Sequence, residues 1–64
     1  MDKRYIIRKL QEAQGHFAHA AEAKKLPLRK GERDSLRTHE MQVGADYIRA
    51  AYKEATGHDI RIKI

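Results

Sequence analysis

Residues 36–57 carry the longest helical pattern in the chain, and the breadth of its apolar face constrains everything else. At about 100° per residue with Leu36 at zero, Val43, Tyr47, Ala51, Gly44, Ala55, Ile48, Met41 and Tyr52 spread over roughly half the helix circumference. One partner helix needs a stripe only about 100° wide. The face is therefore expected to meet two surfaces. Val43 and Tyr47 would face another helix of the chain. Met41, Ile48 and Tyr52, about 120° to 160° round from Leu36, would need a second cover.

The first of those surfaces is predicted upstream. Asp2 is a plausible N-cap, and Ile6, Leu10, Ala13, Phe17, Ala20 and Ala21 follow at steps of three and four, on one narrow stripe. Tyr5 and Ile6 would also suit an extended start, but the spacing favours a helix. Gly15, inside that helix, costs roughly 1 kcal/mol relative to alanine, and the many alanines around it point to a close approach of another backbone. Residues 24–32 read as the connector, because Pro27 disfavours helix at Leu26 and Gly31 offers a second break. Leu26 and Leu28 alternate with Pro27, which predicts an extended piece with both leucines turned inward. Asp34 or Ser35 would cap the second helix, with Glu32 as an alternative start, and Gly57 would end it as a left-handed C-cap.

Beyond Gly57, Ile60, Ile62 and Ile64 alternate with Arg61 and Lys63, the pattern of a half-buried strand. Its backbone groups would need a partner: residues 26–28, the same strand of a second protomer, or a strand-accepting protein. The expected architecture is thus mainly α, a two-helix antiparallel hairpin with a short C-terminal strand. It forms one small domain over residues 1–64, completed by dimerisation.

Size supports the dimer. A chain of 64 residues buries only about 60% of the surface it exposes unfolded, and with no cysteine it has no disulfide to compensate. The expected interface comprises Met41, Ala45, Ile48 and Tyr52 of helix two, with Gly44 and Ala45 permitting close approach, and Ile60, Ile62 and Ile64 of the strand. The run Tyr5-Ile6-Ile7 is far short of a signal-peptide core of about 7 to 15 apolar residues, and no stretch reaches the ~20 that a membrane span needs. A soluble, cytoplasmic protein that does not engage membranes is the expectation.

A net charge of +5 in so short a chain favours anionic partners, with nucleic acid first and acidic protein surfaces after it. Lys24, Lys25, Arg29, Lys30, Arg33 and Arg37 cluster across the connector and the start of helix two, offset only by Glu32 and Asp34. A hairpin would gather them at one tip, where they could neutralise several phosphates. Arg4, Arg8 and Lys9 would lie at the other end, beside Arg61 and Lys63. The reading is a small basic regulatory or accessory protein that binds nucleic acid. Its alternative is an interaction module or inhibitor that docks on a protein through helix two or the terminal strand.

The glycines are scattered and no serine and histidine share a recognisable spacing, so neither a phosphate loop nor a catalytic motif is present, and an enzyme is not expected. His16 and His19 lie three apart, one turn after Glu12, and the hairpin would set them opposite residues 39–43. Imidazoles and a carboxylate so placed can bind zinc, but His19 points away from the apolar stripe, and no metal or cofactor is expected. Glu40 falls about 40° from Leu36, inside the apolar face. A carboxylate there must be paired, protonated or at a watered edge, with His16, His19 or an arginine of another protomer as partners.

Overall fold

The computed structural model describes residues 1–63 and consists of two antiparallel helices, α1 (Lys3–Glu22) and α2 (Lys30–Thr56), joined through a short 3-10 turn (Ala23–Lys25). Local chemistry accounts for both outer ends. Asp2 Oδ1 accepts from the backbone N–H groups of Arg4 at 3.0 Å and Tyr5 at 3.2 Å, satisfying two of the donors a helix start leaves unpaired. At the end of α2, Gly57 takes φ 77° and its N–H donates to the Lys53 carbonyl at 2.8 Å. The two ends meet, because the Asp2 N–H also donates to Glu54 Oε1 at 2.9 Å.

The connector is shorter than its composition implies. Leu26 and Arg29 are extended, as a residue before Pro27 and a helix-capping position require, and α2 begins at Lys30. It starts ahead of Glu32, and ahead of Asp34 and Ser35, so Gly31 lies inside its first turn and does not break it. Glu32 adds the acidic charge that a helix start favours. Leu26 and Leu28 are exposed and do not turn inward.

The interface is built from small residues. Ala13, Ala20 and Ala23 on one side and Gly44, Ala45 and Ala51 on the other are buried, and among the described residues no side chain larger than alanine is fully buried. Phe17, Leu36, Val43, Tyr47 and Ile48 flank this seam half-buried. The close approach expected at Gly15 occurs at Gly44, where a Cβ would stand 3.0 Å from Phe17 Cζ; the space around Gly15 is open. The molecule measures 43 × 21 × 9 Å, a single layer of helix with two broad open faces.

Among the described residues there is no strand, so the pairing expected from Ile60 and Ile62 does not form within the chain, and Ile64 lies outside them. After Gly57 the chain doubles back along α2. Arg49 Nη2 donates to the Ile62 carbonyl at 2.7 Å, and Lys53 Nζ lies 3.5 Å from Asp59 Oδ1. A side-chain donor from α2 thus takes the place of a ladder partner, and the alternation of isoleucines leaves Ile62 half-buried and Ile60 exposed.

Candidate functional site

The connector end holds most of the basic cluster in one place. Lys24, Lys30, Arg33 and Arg37 line a single open concavity floored by Ala20, Ala21 and Ala23, with Asp34 as the one acid on its wall. Helix geometry explains the convergence: Lys30, Arg33 and Arg37 recur at three and four residues along α2, so they project from one face. Arg33 reaches across to the Lys24 carbonyl at 3.5 Å. Lys25 and Arg29 are exposed but do not line the concavity. Arg29 caps α2 without a side-chain hydrogen bond, which leaves the first amides of that helix without a side-chain acceptor there.

Midway along the hairpin is a second, polar constellation on the opposite face. His16 Nδ1 lies 2.6 Å from Glu40 Oε2, and His19 Nδ1 lies 3.9 Å from the same oxygen. The half-buried carboxylate is therefore paired within the protomer, with no arginine from another copy needed. The His16 hydrogen bond holds the Glu40 carboxyl below its ordinary range, opposed in part by burial and helped by the positive charges His16, His19 and His39 carry when protonated. Tyr47 stacks on the His16 ring at 5.4 Å and 14°, and Lys9 Nζ sits 5.1 Å from the Tyr47 ring centre and 5.2 Å from that of Tyr5.

The stack of Lys9, Tyr47 and His16 escaped the sequence reading. Its signal was there, since Lys9 and His16 are seven apart on α1 and Glu40 and Tyr47 are seven apart on α2, which is about two turns in each case. What was missing was the register that sets one pair against the other.

The residues expected to meet a partner divide. Ala45 is enclosed within the protomer at 0% exposure, and Gly44 is occupied by Phe17. Met41 and Ile48 are half-buried, and Tyr52 is 38% exposed. Ile48 borders a shallow apolar groove with Leu10, Ala13, Gln14, Phe17 and Ala18. By helix azimuth this groove lies on the same face as Lys30 and Arg37, opposite the histidines. Residues 60–63 stand apart from it, alongside Gln42, Asp46 and Arg49 through Ile62. Among the described residues no helix is long and apolar enough to cross a membrane. Comparison with protein-family profiles, characterised proteins and solved structures finds no match for the chain.

Proposed function

We propose that this is a small basic accessory or regulatory protein that binds nucleic acid through phosphate contacts at the connector end of the hairpin, and that it is not an enzyme. The observation that carries this reading is the convergence of Lys24, Lys30, Arg33 and Arg37 on one concave surface. Placing Arg29 and Lys30 at the start of α2 sets cations beside the positive end of the helix dipole, where they are unfavourable unless an anion joins them. A phosphate in the concavity would meet the four side chains and relieve that conflict. An acidic protein surface would meet the same charges. Fluorescence anisotropy with labelled duplex and single-stranded oligonucleotides over a salt series tests the reading. Affinity that falls steeply with salt supports it; salt-insensitive binding, or none at low salt, overturns it.

A second reading is docking on a protein, with a second copy of this chain as the first candidate. It is favoured by the alanine seam, which leaves Leu10 47% and Tyr52 38% exposed around the groove that Ile48 borders. A second hairpin laid on that face would supply the cover that a single helical layer lacks.

A further inference from the structure

We propose that His16, His19 and Glu40 form a binding site for one zinc-class divalent ion that clamps α1 to α2. The three side chains offer one donor atom each, all within 4.8 Å of one another. Two imidazoles and a carboxylate are a donor set that suits zinc, with a fourth position left for water. The backbone fixes half of the site, because His16 and His19 lie three apart on α1 and project from neighbouring azimuths. Glu40 comes from the facing helix, so an ion held by all three is a cross-link between α1 and α2.

The distances show how little must move. Ligand bonds of about 2.0 to 2.1 Å at a tetrahedral ion put donor atoms about 3.3 Å apart. His16 and Glu40 stand at 2.6 Å and would open by about 0.7 Å, while His19 and Glu40 stand at 3.9 Å and would close by about 0.6 Å. The His16 and His19 donors, within 4.8 Å of each other, would close by up to about 1.5 Å, and all three changes are within the reach of side-chain rotation. Tyr47, stacked on His16, restrains that ring's plane, which is how neighbouring groups orient a ligand. His19 is 71% exposed, so the ion enters from solvent. In a chain with no cysteine and an interface made of alanine, such a clamp adds what the core lacks.

The test titrates the intact protein with Zn²⁺ by calorimetry and with Co²⁺ by visible absorption, in parallel with His19→Ala, His39→Ala and His58→Ala. His19 is the telling position, since it is exposed and 3.9 Å from Glu40, so its removal should leave the hairpin folded, which circular dichroism checks. The expected result is one ion per chain with a Kd of about 1 µM or tighter and four-coordinate Co²⁺ absorption. His19→Ala should weaken binding at least tenfold, since loss of a residue that merely orients a ligand already costs about 10- to 100-fold. Zn²⁺ at about 100 times Kd should raise the melting temperature by about 10 °C or more. Binding weaker than about 100 µM, or binding that His19→Ala leaves unchanged, overturns the proposal. So does binding that depends equally on His39 or His58.

Discussion

The Phe17 ring lies against Gly44: three of its carbons would stand 3.0 to 3.2 Å from a Cβ placed on that glycine. This contact is where the two helices have no room to spare. Gly44→Ala gains about 1 kcal/mol of helix propensity but displaces a ring held in the seam, and overpacking of that kind costs about 1 to 3 kcal/mol. The expected outcome is a net loss of about 1 kcal/mol in urea unfolding. Gly15→Ala, where nothing lies within 4 Å, should gain up to about 1 kcal/mol. In a Phe17→Ala background the Gly44→Ala change should turn favourable, since the ring is gone; if it stays unfavourable, the ring contact is not its cause.

The pair of His16 and Glu40 gives the hairpin a pH dependence of definite sign. Because the folded state holds the Glu40 carboxyl below its ordinary value of 4.5, the contribution is fully present above that value. It is lost as pH falls through the lower, folded value. In chelator-treated protein, the stability gap between the native chain and Glu40→Gln should therefore hold near pH 5.5 to 6 and narrow progressively below about 4.5. Thermal melts from about pH 6 down to about pH 3 check it, and a gap that widens on acidification would contradict the assignment.

Binding to nucleic acid should discriminate within the basic cluster. If Lys24, Lys30, Arg33 and Arg37 each neutralise one phosphate, log K against log salt should fall with a slope of about −3 to −4 on duplex DNA. Arg33→Ala with Arg37→Ala should flatten it by about 2, whereas Lys25→Ala with Arg29→Ala should change it by less. Equal effects from the two pairs would mean a diffuse surface charge and not a concave site.

Self-association should depend on the apolar face that carries Leu10 and Tyr52. Both are exposed in the protomer, so Leu10→Glu with Tyr52→Glu should leave helix content and thermal cooperativity near those of the native chain at low concentration. Sedimentation equilibrium should show a native dimer at about 100 µM and a monomeric double variant. A native chain that stays monomeric at that concentration removes a second copy as the partner of that face.

How much of this was legible follows from the range of the forces involved. Asp2 and Gly57 were readable because a cap is a contact between near neighbours in the chain. The antiparallel hairpin was readable from two apolar periodicities separated by Pro27. The gathering of Lys24, Lys30, Arg33 and Arg37 follows from that hairpin and the helical repeat. Glu40 could be flagged as needing a partner because its azimuth placed a charge on an apolar face.

The sequence by itself therefore determined two helices, their outer ends and the crowding of charge at the tip, since these rest on local dihedral preference and fixed periodicity. The tertiary structure alone decided which glycine is packed, which histidine meets Glu40 and where the tail goes. Gly15 and Gly44 are alike in sequence, and only the register of α1 on α2 puts Phe17 beside the second. Ile60 and Ile62 alternate as a strand would, yet a strand needs another strand, and Arg49 bonded the Ile62 carbonyl instead. Periodicity reports what a segment can bury; which surface it is buried against depends on contacts far apart in the chain.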